Sequence, residues 1–148
     1  MPGICLTDGP VFFFSAGIEK GLSRTDFTGG AMRNKTKYYI AFLRIELEDL
    51  QEDLELLIAR CESNFKEERI TERVFRENVA LFRNELMGLN DFARIVDQTD
   101  PSEFENLDEL IRHLREVFVD LIRTRDLAQA LKVCVDRKLA KVARYMDK

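Results

Sequence analysis

The chain has no tryptophan, one histidine, three cysteines and three prolines, and no long apolar run. Each shortage excludes a class of protein. One histidine cannot supply the two Glu-x-x-His pairs of a carboxylate-bridged di-iron bundle, and the residue three before His113 is Leu110, not glutamate. A carboxylate at Glu116 and a bulky Val117, just after His113, would repel and crowd a phosphoryl group on its ring, so a solvated surface histidine is expected. The wide spacing of Cys5, Cys61 and Cys134 matches neither a disulfide framework nor a zinc site. Such cysteines read as thiols of a reducing compartment, and a cytoplasmic location is the expectation. No stretch approaches the ~18 apolar residues that would span a membrane. The FFF of GPVFFFSAG is too short for a signal sequence and lacks a basic segment before it. The GG of TGGAMR lacks the spacing and the lysine of a phosphate loop. No cofactor and no metal-ligand set is expected.

Glycine and proline are also unevenly placed. Six of seven glycines and two of three prolines precede Met32, leaving only Gly88 and Pro101 beyond it. Residues 1–32 have no helical period and are expected to form a flexible arm, or a stretch upstream of a true start at Met32. Residues 33–148 form the single domain.

What the domain does contain is helical periodicity. Ile40, Leu43, Leu47, Leu50, Leu54, Leu57 and Cys61 step by three and four, which predicts a helix over about 35–67. Thr71 caps a second helix, with Phe75, Val79, Phe82, Leu86, Leu89, Ala93 and Val96 in register and Val74, Leu81, Phe92 and Ile95 widening the stripe. Gly88 weakens the middle of that helix by about 1 kcal/mol relative to alanine. In DPSE, Asp100 as N-cap, Pro101 and Glu103 predict a third helix carrying Leu107, Ile111, Leu114, Phe118 and Leu121. After Leu121 no glycine or proline stops it, yet the apolar stripe shifts to Ala128, Leu131, Val135, Leu139, Val142 and Met146. Asp126 with Gln129 offers a capping box for a fourth helix. An all-α antiparallel bundle of four helices is therefore expected, with three long helices completed by dimerisation as the alternative.

Six carboxylates crowd into LRIELEDLQEDLELL between Glu46 and Glu55, with no lysine or arginine among them. With Ile40 at a and Leu43 at d, Glu46 and Asp53 take g positions, and none of the six is expected to point into a core. The tail carries the opposite surplus. Residues 123–148 hold eight basic residues against three aspartates. An antiparallel fourth helix would lay that basic surplus beside the acids, where the charges would select register and partner. The candidate interface is accordingly Leu131, Val135, Leu139 and Val142 with Glu46, Asp53, Arg137, Lys138, Lys141 and Arg144. The expected role is non-catalytic, an interaction, adaptor or assembly module for a protein partner, with a homodimer as one form. The rival role is nucleic-acid binding through the basic tail, extended by Arg33, Lys35 and Lys37. A metal-dependent bundle enzyme is disfavoured.

Overall fold

Residues 31–148 are described by a computed structural model, with side chains from Asn34 onward. The expected arm, the Phe12–Phe14 cluster and Cys5 lie outside the described residues. Four helices make up the rest: α1 (Ala31–Lys66), α2 (Glu72–Gln98), α3 (Leu107–Arg125) and α4 (Gln129–Met146). A 3-10 turn, Pro101–Glu103, lies between α2 and α3. Among the described residues there is no strand, and no helix is long and apolar enough to cross a membrane.

The helices stop where the backbone can close on itself. α1 ends as Glu68 turns to φ 59°, letting the amides of Glu68 and Arg69 donate to the carbonyls of Phe65 and Asn64. This is a Schellman motif built without glycine. Thr71 then caps α2 by accepting from the Val74 amide at 3.2 Å, as its sequence predicts. The same device folds the tail back. Asp126 takes φ 52° and the Leu127 amide donates to the Ile122 carbonyl at 3.0 Å, so α3 ends and α4 starts afresh. The expected capping box is absent, and Ala128 caps α4 with no side-chain hydrogen bond. Aspartate tolerates the left-handed region better than most residues, so no glycine was needed.

The third helix begins later than DPSE implies. Asp100 caps only the 3-10 turn, accepting from the Ser102 amide at 2.9 Å, and the chain extends again at Phe104. The true cap is Asn106, whose side chain accepts from the Glu109 amide at 2.9 Å, while Glu109 accepts in return from the Glu105 amide. The pair is a variant of the capping box, with Glu109 holding the amide before the cap, six residues beyond the predicted start.

Neighbours in sequence are antiparallel neighbours in space. Gln51 reaches Asn90 and Arg44 reaches Asp97 between α1 and α2, while the Phe92 and Phe118 rings meet at 4.7 Å between α2 and α3. α4 returns along α1. Its preceding residue Leu127 packs on Gly88, level with the middle of α1, and its Leu139 carbonyl accepts from the Tyr39 hydroxyl near the start of α1 at 3.0 Å. The result is an up-down-up-down four-helix bundle. Its core joins Leu43, Leu47, Leu50 and Leu54 to Phe82, Leu89, Phe92, Leu114, Phe118, Leu131, Val135, Leu139 and Val142. Each fully buried Leu or Val contributes about 2 kcal/mol.

Gly88 has a packing reason. A Cβ there would lie 2.8 Å from Leu127 Cδ2, inside the buried turn that launches α4. Gly88→Ala is expected to lower stability by about 1 kcal/mol in urea unfolding, because overpacking outweighs the gain in helix propensity. An increase in stability would show that Leu127 yields freely.

Candidate functional site: a buried charged seam between α1 and α4

The residue chemistry least expected in a bundle interior lies where α4 meets α1. Glu46 on α1 is wholly buried, with one carboxylate oxygen 2.6 Å from Lys138 Nζ and the other 2.5 Å from Lys141 Nζ. Lys138 is buried as well, while Lys141 keeps a thin edge to solvent. The expectation that none of the six acids points inward is therefore corrected for two of them. Glu46 and Asp53 are seven residues apart on one face of α1, and that face is closed by α4 rather than by water. A g position is a rim in a two-stranded coil, but it becomes interior once a second helix packs beside it.

The surrounding groups show what this burial does. Among the described residues neither oxygen of Asp53 has a hydrogen-bond partner, and burial raises its pKa although the Lys138 charge opposes the shift. Asp49, half-buried one turn away, is raised to about 6, first by burial and then by Glu46 and Glu52, against Lys138 and Lys141. Across the core on α2, Glu85 is fully buried, lacks a hydrogen-bond partner at either oxygen among the described residues, and is pushed up to about 7 by burial. Burial likewise raises the Cys134 thiol, against the opposing charge of Arg137.

The candidate interface residues are thus partly united. Leu131, Val135, Leu139 and Val142 lie in the core, and Lys138 and Lys141 meet Glu46. Arg137 and Arg144 do not join them and stay exposed on the outer side of α4. Glu85 was not anticipated, although its place between Phe82 and Leu89 on the widened stripe of α2 was a legible signal. His113 is half-buried with its ring 5.1 Å from Phe104, not freely solvated, beside a shallow open groove of about 450 Å³.

The tail's cations are largely committed. Arg123 pairs with Asp120, Arg125 with Asp91, Lys132 with Asp136, and Lys138 and Lys141 with Glu46. Of the eight basic residues expected to form a phosphate-tracking strip, this leaves Arg137, Arg144 and Lys148 without an ion pair among the described residues. Among the described residues, no group of three or more histidine, cysteine, aspartate or glutamate side chains is arranged to hold a metal ion. No protein family, no curated protein and no solved structure was found to match this chain.

Chemically, the seam is a lock. Burying two ions costs several kcal/mol each, and the attraction between them offsets this only when the geometry is good. The stronger effect is selective, since any slip of α4 along α1 would leave Glu46 or Lys138 buried without its counter-ion. Lys138→Met is expected to cost about 3 kcal/mol in urea unfolding, because Glu46 then loses its buried partner. Replacing both, as Glu46→Met with Lys138→Met, should recover most of that loss, with Lys141 turning out to water. Equal losses in the single and double variants would contradict the lock.

The orphaned carboxyls set a pH dependence. A carboxyl whose folded pKa exceeds its unfolded value binds its proton more tightly in the folded state. Stability contributed by Glu85 is therefore full below about 4.5 and falls as pH rises toward about 7, with Asp49 and Asp53 acting in the same direction. At 1.36 kcal/mol per pH unit, the Glu85 part is on the order of 3 kcal/mol. Stability measured from pH 4.5 to pH 8 should decline, and Glu85→Gln, which mimics the neutral acid, should decline less. An unchanged slope in Glu85→Gln would remove Glu85 from the account.

Proposed function

We propose that this chain is a non-catalytic interaction module that presents the tip of the α1–α2 hairpin to a protein partner. The carrying observation is a mismatch of length. α1 and α2 have 36 and 27 residues, whereas α3 and α4 have 19 and 18. At 1.5 Å per residue, α1 outruns α4 by roughly 27 Å. The fully buried residues of α1 accordingly stop at Leu54, and those of α2 begin at Val79. Beyond them Leu57, Ile58, Cys61 and Phe65 are only half-buried, Phe65 stacks on Phe75 at 4.5 Å, and Val74 is 39% exposed.

Two helices alone cannot cover both sides of an apolar seam, so the tip offers a partly open hydrophobic face to a third helix or sheet. Salt bridges Arg73–Glu77 and Arg76–Glu72 rim it on α2, as polar residues rim protein interfaces. The locked bundle behind gives the tip a rigid base. A charge-selected partner fits the same reading, because Glu48, Glu52 and Glu55 stay exposed along α1 with no ion pair among the described residues.

Val74→Asp lies on exposed surface and should change stability by no more than about 0.5 kcal/mol. It is expected to weaken capture of the native partner at least tenfold while the circular dichroism spectrum and urea midpoint stay unchanged. Undiminished capture by the folded variant would remove the tip as the binding surface.

A further inference from the structure

Two rows of the α1–α2 hairpin outrun the helices that cover them. On α1, Glu46 and Asp53 lie seven residues apart beneath α4, and the same step continues to Arg60 and Glu67. On α2, Gly88 lies beneath Leu127, and the same step backward gives Leu81 and Val74. Glu46, Asp53 and Gly88 are buried, Leu81 is half-buried, and Arg60, Glu67 and Val74 are exposed.

Contacts between the helices fix where the cover ends. Gln51 reaches Asn90, which sets Gly88 level with Asp53. Leu127 packs on Gly88, and the Asn84 side-chain amide donates to the Arg125 carbonyl at 3.4 Å, so the α3–α4 turn also sits at that level. From there to the loop at Glu68, one side of the hairpin is bare over ~21 Å, with Cys61 near its middle. The vacancy has the length of the hairpin's own two arms. Residues 57–81 carry five basic and five acidic side chains, so the tip has no net charge with which to recruit a charged partner. Residues 1–30 enter α1 at Ala31, ~45 Å from Cys61, and would have to run the length of the bundle to cover the tip.

We propose, resting on the reading of the tip as a binding surface, that its occupant is a second copy of this chain, the bare sides of two tips closing on each other as a four-helix bundle. The twofold axis runs across the hairpin, perpendicular to its helices and level with about Cys61. It lays α1 on the partner's α1 and α2 on the partner's α2, each antiparallel. Leu81 then meets the partner's Leu81 close to the axis, and Val74 reaches the turn at the partner's Leu127. On α1, Arg60 and the partner's Glu67 are offset by only ~7 Å along the axis, and they converge because side chains lean toward the start of their own helix. Glu67 keeps the helical path, since its amide donates to the Ser63 carbonyl at 3.0 Å. Arg60 has no ion pair among the described residues, and the symmetry forms its pair with Glu67 twice.

The bare side is ~21 Å long and two helices, or ~20 Å, wide, so the dimer buries about 1,000 Å² in total, near the lower limit for a specific interface. Leu81 and Val74 supply its apolar floor, and the two Arg60–Glu67 pairs set its register.

The test is sedimentation equilibrium of the full chain at about 100 µM, with circular dichroism and a urea midpoint to verify the folding of every variant. A dimer is expected. Val74→Asp should weaken it at least tenfold, because the aspartate is then buried against the partner's turn. Arg60→Glu and Glu67→Arg, both changes at exposed positions, should each weaken it about tenfold, since like charges are then opposed twice. Mixed together, these two variants should form a heterodimer in which both pairs are restored. A monomeric wild-type chain overturns the proposal, whether residues 1–30 or an unrelated protein then covers the tip; lost capture of that protein by Val74→Asp would still identify the tip as a binding surface. A dimer that Val74→Asp and Arg60→Glu leave intact overturns it as well, and so does a failure of the mixed variants to associate.

Discussion

Everything in this fold depends on one buried carboxylate held by two lysines from the far end of the chain. Glu46 and Lys138 are 92 residues apart in sequence and 2.6 Å apart in the bundle. An apolar seam alone would let α4 slide by a turn along α1, since Leu131, Val135, Leu139 and Val142 would find leucines at several registers. The ion pair admits one. It adds little net stability over a hydrophobic pair of similar size, but it makes the alternatives costly. The Tyr39 hydroxyl on the Leu139 carbonyl adds a second, neutral constraint on the same pair of helices.

The seam also explains why the interior tolerates carboxyls that have no partner. With two lysines and Glu46 together, the local charge is positive by one unit before Asp49 and Asp53 are counted. Asp53 and Asp49 feel Lys138, yet desolvation still dominates both, so they favour the protonated form more than surface carboxylates do. Glu85 has no such counter-charge and is raised by burial alone. A bundle built this way is tightest in mild acid and loosens toward alkaline pH, the reverse of a protein stabilised by surface salt bridges.

Much of this architecture was readable in the sequence, and the failures have identifiable causes. The seams of α1 and α2 follow from apolar spacing and the Thr71 cap from capping chemistry, and the shift of the apolar stripe after Leu121 favoured the fold-back of the tail. The ends of the helices were harder. Glu68 and Asp126 adopt left-handed backbone without glycine, so nothing in the composition marks them as stops, and the Asp100 capping box closes only a 3-10 turn. The charged site was half legible. Opposite surpluses on α1 and α4 pointed to an antiparallel pairing, but a heptad drawn for one helix places Glu46 and Asp53 at a rim. Only the position of the neighbouring helix turns that rim into interior. Gly88 shows the same limit, because its reason is Leu127, 39 residues away, rather than anything within α2.

Amide hydrogen exchange along α4 tests the central claim most directly. If Glu46, Lys138 and Lys141 fasten α4 as a wall of the bundle, amides from Leu131 to Val142 should exchange only by global unfolding, as slowly as those around Leu47 and Leu50 of α1. Exchange there at the rate of an unstructured peptide, while α1 and α2 remain protected, would show that the tail is not part of the core and that the charged seam does not hold it.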